Sequence, residues 1–465
     1  MYSTKKPHIH FLGIGGIGMS GIATILRHQG YQVSGCDLDL EQKSVRDLAA
    51  SGCTIMQGNN TPQCQDISID VLVYSSALKS DNPEIKAAQE RGIPTIPRAL
   101  MLAELMRSKY SIAISGAHGK TTTTSMISHI LIEAHYDPTV IIGGHLKNIS
   151  SNARLGAGNF LVAEADESDK SFLRLNPTLA VVTNIDLEHL DVYSDITDIK
   201  NTFLQFLSNL PFYGKAFICI DDQHAASLLP ISNSKVVKYG TIESADICAR
   251  DIILGPNYST ATMWKKGATE PLGSLYITMP GHHNILNATA AVAVALDLDI
   301  PFAKISAALA NFKGIDRRFT FKGTYKAAEL FDDYGHHPTE IYHTLQVARK
   351  RAHKKLIVMF QPHRYSRTKG LWADFIKVFQ ESNIDHLIIT DIYAASEAPI
   401  ENITSQEFVR ALQATNPTFT ISYQPYDDKF NHLRAQLDTV VAAEDLVLLL
   451  GAGKMNKIVD ILPMN

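Results

Sequence analysis

The stretch Tyr110-Ser111-Ile112-Ala113-Ile114-Ser115-Gly116-Ala117-His118-Gly119-Lys120-Thr121-Thr122 decides the reading of this chain. Ser111–Ser115 is an apolar, strand-forming run, Gly116 and Gly119 make a tight turn, and a helix is expected over Lys120–Ala134. A strand, glycine turn and helix in this order make a phosphate cradle. Backbone N–H groups converge there, and the helix N-terminus adds partial positive charge. A lysine at the start of the helix reaches terminal phosphate oxygens, and the following threonine hydroxyl can ligate Mg²⁺. The general pattern has a glycine five residues before the glycine-lysine pair, where this chain has Ile114. A turn that merely joins strand to helix would leave the lysine and threonines unexplained. Thr121–Thr124 is β-branched and poor for helix propensity, which suggests a task for its hydroxyls. The expectation is a site that binds and cleaves ATP, at Gly116, Ala117, His118, Gly119, Lys120, Thr121 and Thr122.

Outward from this loop, short apolar runs alternate with amphipathic stretches, the signature of α/β architecture with mostly parallel sheets. Before it, strands are expected at Ile9–Ile14, Tyr31–Cys36, Asp70–Ser75 and Pro94–Ile96, with helices at Gly18–His28, Val45–Ala50, Pro83–Arg91 and Leu100–Met106. After it, the runs Asn159–Ala163 and Leu179–Thr183 read as buried strands, and 246–279 as antiparallel strands. Helices are expected at Asn284–Leu296 and Phe302–Asn311, and from Lys322 the strand–helix alternation resumes to Leu446–Leu450. The blocks are 1–109, 110–321 and 322–465.

Functional groups in open parallel sheets gather at the carboxyl ends of strands. Two acidic segments fall there, Glu164-Ala165-Asp166-Glu167-Ser168-Asp169 and Asn184-Ile185-Asp186-Leu187-Glu188-His189. Hard oxygen ligands in such places suit Mg²⁺.

A second glycine motif, Gly13-Ile14-Gly15-Gly16-Ile17-Gly18, lies between a strand and a helix, with Asp37 closing the next strand. Taken alone it reads as a dinucleotide site for NAD. Any diphosphate nucleotide could use the same turn, and so could a bare structural turn. The pair Gly451 and Gly453 is a weaker signal of the same kind.

The chain has 465 residues, more than one ordinary core accommodates. A net charge of -4 argues against a nucleic-acid partner. The five cysteines, Cys36, Cys53, Cys64, Cys219 and Cys248, lack CxxC spacing and leave one unpaired, as in a reducing cytosol. The start of the chain reads as strand and turn rather than signal peptide, and no run is long and apolar enough to span a bilayer. A cytoplasmic location with no membrane partner is the expectation.

Several segments resemble one family across nearly the whole length. They include His10–Gly21, Gly116–Thr124, Glu164–Asp169, Thr183–Ile185, Gly281–Ala288, Gly314–Phe319, Asp332–Glu340 and Phe360–Thr368. In these the chain resembles the Mur ligases of peptidoglycan synthesis, and within them the branch that adds L-alanine to UDP-N-acetylmuramate.

That resemblance implies three domains: a Rossmann-like N-terminal domain for the UDP-sugar, a central P-loop-type ATPase α/β domain with additional antiparallel strands, and a Rossmann-like C-terminal domain that brings the amino acid. It replaces NAD with UDP at the first glycine motif, with Gly15, Gly16, Ile17, Gly18, Asp37 and Ser75 as the UDP-sugar set. It implies ATP and Mg²⁺ as cofactors and UDP-N-acetylmuramate and L-alanine as partners, in a monomer or homodimer. Thr121, Glu164 and His189 would form the metal environment, and Asn284 the adenine contact, with a helix N-cap as its alternative role. Lys120, Glu164, His189, Arg318 and His336 would be catalytic. Arg317-Arg318 would put a guanidinium near the phosphates. Tyr334 and His336 would form the amino-acid pocket, with Arg364 and Arg367 for anionic substrate groups. A transition-metal pair at His336-His337 is disfavoured, because neighbours on an extended segment face opposite ways. The chain departs from the family at Cys36 (often serine), Asn59 (often histidine), and Glu188-His189-Leu190 (often Asp-His-Met).

Overall fold

A computed structural model describes residues 6–58, 68–75, 78, 81–146, 151–231, 234–351, 353–395 and 397–464. Asn59 and Cys64 lie outside them; the other four cysteines are buried and form no disulfide among the described residues. The molecule is α/β, with three sheets.

The first sheet holds β1 (His8–Leu12), β2 (Gln32–Asp37), β3 (Thr54–Gln57), β4 (Val71–Tyr74) and β5 (Thr95–Pro97), ordered β3-β2-β1-β4-β5 and parallel throughout. Every residue of β1 is buried, as a strand covered on both faces requires. In this order β1 and β4 flank the point where strand order reverses, and Leu12 pairs with both Cys36 and Tyr74. Gly13, Asp37 and Ser75 therefore leave the sheet side by side at its carboxyl edge.

The second sheet has ten strands: β6 (Tyr110–Ser115), β7 (Thr139–Leu146), β8 (Ser151–Arg154), β9 (Phe160–Glu164), β10 (Leu179–Val182), β11 (Lys215–Cys219), β12 (Lys235–Gly240), β13 (Ile247–Leu254), β14 (Ser259–Lys265) and β15 (Gly273–Ile277). Their order is β15-β14-β13-β12-β11-β10-β6-β9-β7-β8. The strands β13–β15 are antiparallel, as their alternating pattern predicts. The hairpin β7–β8 is also antiparallel and was not expected from the sequence. Helix Lys120–Glu133 is buried from Thr122 to Leu131, between this sheet and the equally buried helix His282–Asp297. A helix covered on every side needs no amphipathic stripe. That covering gives the threonine run a place in the packing as well. The Thr123 hydroxyl donates to Asn287 Oδ1 of the neighbouring helix (3.2 Å), and the Thr124 hydroxyl is buried with no hydrogen-bond partner among the described residues.

The third sheet comprises β16 (Thr320–Tyr325), β17 (Ala328–Asp333), β18 (Leu356–Phe360), β19 (His386–Ile389), β20 (Thr420–Tyr423) and β21 (Leu446–Leu450), ordered β16-β17-β21-β18-β19-β20. The antiparallel β16–β17 hairpin starts at Thr320, so a boundary at 322 cuts a strand; the break belongs in the loop before it. Polar contacts join the sheets. Asn152 Nδ2 donates to Ile17 O (2.7 Å), and Arg98 pairs with Asp166 (3.7 Å).

Candidate active site

The loop after β6 depends on glycine. Gly116 has φ +133°, and a Cβ there would lie 2.1 Å from Thr183 Oγ1; Gly119 has φ +83°, with Asn287 Oδ1 2.5 Å from a would-be Cβ. No side chain caps the helix that starts at Lys120. The turn is held from β10's end: Ala117 N donates to Asn184 O (3.1 Å), His118 N to Asn184 Oδ1 (2.8 Å), and Thr183 Oγ1 to His118 O (2.6 Å). Two of the N–H groups expected to face a phosphate are thus donated to Asn184. Lys120 Nζ curls over its own loop, donating to Gly116 O (2.6 Å) and to Glu167 Oε1 (2.7 Å). Burial opposes its charge, but Glu167 and Asp166 hold its pKa above the usual lysine range.

The acidic segments make two groups. Glu164 accepts from Gly143 N (2.7 Å) and from Thr121, and burial raises its pKa. Glu167, Glu188 and His189 form the other, their ligand atoms within 4.8 Å of one another. Burial opposes ionisation of Glu188, but the cations around it bring its pKa down to about 2. The expected metal set is therefore divided, with Thr121 beside Glu164 and His189 beside Glu167 and Glu188. Nothing in the two acidic segments singles out Glu167 and Glu188 from their neighbours. Beyond a strand's end the period of two is lost, so the sequence does not say which loop carboxylate turns inward.

A cavity of about 630 Å³ opens beside the loop. His118, Gly119, Thr122, Asn284, Arg318 and Glu340 are among its walls, so the second and third sheets both contribute. Asn284 is not the helix cap: Gly281 holds that position, and Asn284 Nδ2 donates back to Pro280 O (2.7 Å). His118 Nε2 lies 2.9 Å from Asp186 Oδ2, and its Nδ1 3.6 Å from Glu340 Oε1. Burial works against the imidazolium, but these carboxylates outweigh it and raise the pKa to about 10. Thr339 Oγ1 also donates to Asp186 (2.7 Å), tying the third block to the loop.

The arginine pair separates. Arg318 reaches Glu340 (3.4 Å) on the cavity wall, whereas Arg317 donates to Gly451 O (2.5 Å) and pairs with Asp332 (3.4 Å). Both guanidinium groups lie over the Tyr334 ring. His336 Nδ1 lies 3.2 Å from Glu340, while His337 turns to Asp186 (3.5 Å). The two histidines diverge as extended geometry requires, and His337 instead groups with His118 and Asp186. Arg367 approaches Glu188 (3.8 Å). Arg364 is held by Glu397 (2.5 Å) and Asp191 (3.0 Å). The contact between Glu340 and His118 spans blocks far apart in sequence and carries no local signal.

At the first glycine motif, Gly15 N donates to Asp37 Oδ2 (2.8 Å) and Ser44 Oγ donates to Gly15 O (2.8 Å). Gly18 abuts Arg98, and Ile17 is 46% exposed. Asp37 thus closes the turn itself.

Three family models match the chain in succession: Mur ligase family, catalytic domain, over residues 8–110; Mur ligase middle domain over 114–295; and Mur ligase, glutamate ligase domain, over 317–453. The chain is 48% identical over 452 residues (97% of this chain, 96% of the relative) to UDP-N-acetylmuramate–L-alanine ligase of Geobacter sp. strain M21. It is 49% identical over 451 residues, at 97% and 96% coverage, to the protein of that name from Syntrophotalea carbinolica. Among solved structures, UDP-N-acetylmuramate–alanine ligase from Thermotoga maritima superposes with TM-score 0.80 at 26% identity, covering 98% of each chain. A murein peptide ligase from Psychrobacter arcticus shares the fold, with TM-score 0.72 at 23% identity over 96% of each chain. Consecutive domain matches and near-half identity along almost its whole length mean that the chain belongs to the Mur ligase family.

Proposed function

We propose that this chain couples cleavage of ATP to formation of an amide bond between the lactyl carboxylate of UDP-N-acetylmuramate and the amine of L-alanine. The observation that carries this reading is the Lys120 loop facing a cavity shared by the second and third sheets, beside two carboxylate groups. The names of the relatives supply the substrates. The first block, 1–109, takes the UDP-sugar at Gly15, Gly16, Ile17, Gly18, Asp37 and Ser75. The second, from 110 to the loop before Thr320, holds ATP with Gly116–Thr122 and Asn284. The third, from Thr320 onward, brings the amino acid with Tyr334 and His336. Arg364 and Arg367 serve anionic groups.

The chemistry requires neutralisation of a transferring phosphoryl group and alignment of two anions. The carboxylate oxygen attacks the γ-phosphorus, and ADP leaves. The amine, its ammonium proton released, adds to the acyl phosphate, the tetrahedral intermediate gives up a second N–H proton to solvent, and the C–O bond breaks as phosphate departs. Lys120 leaves Glu167 for the β- and γ-phosphates, and Arg318 offsets charge at the acyl phosphate. The donor set fits Mg²⁺: hard oxygens from Thr121 and Glu164, with Glu167, Glu188 and His189 alongside. Glu167 Oε2 is buried with no hydrogen-bond partner among the described residues. When bound, Mg²⁺ would spread and neutralise phosphate charge.

Phosphate release with UDP-N-acetylmuramate plus either L-alanine or the cell-wall tripeptide tests the reading. Turnover with L-alanine is expected. Turnover only with tripeptide would make the chain a recycling ligase, and tight binding of NAD without UDP would return the first glycine motif to a hydride cofactor.

A further inference from the structure

Beneath the first glycine turn lies a polar chain that the ligase reaction does not use. His10 on β1, Cys36 on β2 and Glu84 at the start of helix Pro83–Glu90 are 0%, 1% and 0% exposed, beside the apolar cluster of Leu12, Ile69, Leu72 and Ile85. Cys36 Sγ lies 3.1 Å from Glu84 Oε2 and 3.9 Å from His10 Nε2, and all three ligand atoms lie within 4.8 Å of one another.

Hydrogen bonding fixes which lone pairs face inward when both imidazoles are neutral. His8 Nδ1 meets Ser68 O (2.6 Å), a carbonyl that can only accept, so Nδ1 carries the proton. His8 Nε2 is then an acceptor and takes the Ser34 hydroxyl proton (2.8 Å). Ser34 Oγ in turn accepts from His10 Nδ1 (2.8 Å), which leaves the lone pair of His10 Nε2 directed at Cys36. The thiol proton points at the Glu84 carboxylate. An imidazole nitrogen, a sulfur and a carboxylate oxygen thus converge, and a serine–histidine relay orients the imidazole, as outer partners do for metal-bound histidine.

We propose that His10, Cys36 and Glu84 form a binding site for one thiophilic divalent cation of the zinc class. Nitrogen, sulfur and oxygen ligands of tetrahedral zinc stand about 3.6 Å apart, given bonds of roughly 2.0–2.3 Å. The observed 3.1 and 3.9 Å bracket that separation. On binding, the Cys36 S–H bond breaks, its proton leaves to solvent, and a metal–sulfur bond forms. Glu84 exchanges the thiol hydrogen bond for a metal–oxygen bond, and water fills the fourth position. The hard-oxygen groups near Lys120 contain no sulfur and would not compete for such an ion by softness. The Cys36 carbonyl accepts from Gly13 N (2.9 Å) and Ile14 N (3.1 Å), so the site underlies the glycine turn.

The test is titration of the reduced, chelator-treated full-length chain with Cd²⁺ alone, in excess Mg²⁺. The expected result is a thiolate-to-cadmium charge-transfer band that saturates at one ion per chain, with release of one proton. Cys36→Ser, which keeps a donor to Glu84 in nearly the same volume, should abolish the band, and Cys53→Ser and Cys219→Ser should retain it. His10→Gln should weaken binding about 10- to 100-fold or more. A band absent from the wild type, or undiminished in Cys36→Ser, would overturn the proposal. So would undiminished affinity in His10→Gln, which would reduce the site to a lone thiol. Should Cys36→Ser fail to fold, wild-type stoichiometry and His10→Gln decide alone.

Discussion

The two glycine turns of this chain, Gly13–Gly18 and Gly116–Gly119, share a plan but not a charge. Each follows a buried parallel strand and precedes a helix with no side-chain cap. The first is closed by an acid, since Asp37 accepts from Gly15 N. The second is closed by an uncharged amide, Asn184, and a lysine leans over it. The carboxylate at the first turn disfavours phosphate close to Gly15 and favours hydroxyl or N–H donors. The lysine at the second favours a polyanion. The same backbone device is thus given different ligands by one or two side chains outside it.

Lys120→Ala should have the largest effect. Loss of the lysine ammonium that leans over the second turn is expected to lower substrate-dependent phosphate release by about 10²–10³-fold, the scale of a lost charge-stabilising donor. The melting temperature should also fall, because buried Glu167 loses its cation, and unaltered turnover in the folded variant would remove the loop from the chemistry.

Alanine at one glycine of each turn sharpens the comparison. At Gly116 a Cβ meets Thr183 at 2.1 Å in a left-handed backbone, so Gly116→Ala should cost about 1–3 kcal/mol in denaturant unfolding and reduce ATP turnover. Gly16 has φ -56°, and its nearest atom to a Cβ is at 3.5 Å. Gly16→Ala should leave stability within about 0.5 kcal/mol. Equal losses at both would erase the distinction between the turns.

Asp37→Asn keeps the shape and removes the charge. The hydrogen bond from Gly15 weakens by about 1 kcal/mol and the turn loosens, so KM for the UDP-sugar should rise, by about tenfold at most, with kcat unchanged. A change confined to kcat would contradict a binding role at the first turn.

The smallest effect concerns pH. The folded pKa of His118, about 10, lies above the ordinary 6.5, so its contribution to stability is full below 6.5 and disappears as pH rises through 10. Asp186 and Glu340 are shifted the other way by the groups around them. Burial opposes both shifts; the His118 hydrogen bond is chief among the causes lowering Asp186, and the charge of His336 among those lowering Glu340. Their contributions are present above the ordinary carboxylate range and fall away in acid. The stability difference between wild type and His118→Gln should therefore be greatest between pH 4.5 and 6.5 and vanish above 10. Thermal unfolding across that range measures it, and a flat difference would deny the ion pairing.

What the sequence disclosed follows from how local each feature is. Both strand–turn–helix units are legible because glycine, strand residues and helix start are contiguous. The antiparallel run β13–β15 is legible from alternation. The hairpins β7–β8 and β16–β17 have no such signal: β7 is paired to β9 on its other side, with Val140, Ile141 and Ile142 all buried, and β16 begins just beyond Arg317-Arg318, inside the segment read as the end of the second block. In the site, Lys120, Thr121 and Glu164 follow from their motifs. Glu167, Glu188, Asn184 and Glu340 do not, because each acquires its partner only when separate loops and sheets meet. Arg317 and Arg318 are adjacent in sequence, yet one fastens the third sheet's glycine turn and the other lines the cavity. Neighbouring positions of one residue type had no means of declaring that division.

The Lys120–Glu167 contact has one more consequence. The lysine holds a carboxylate at 2.7 Å. If the loop takes a nucleotide as proposed, capture would be a substitution of one anion for another at a fixed cation, not the neutralisation of a bare charge. Such an exchange conserves ion pairs at the lysine, so this residue should contribute little to the salt dependence of ATP affinity. Glu167 already stands beside Glu188 and His189, so a phosphate that took the lysine from it would leave its negative charge at the place proposed for the divalent ion. Arrival of the phosphate and readiness for the metal would then be coupled through one ion pair.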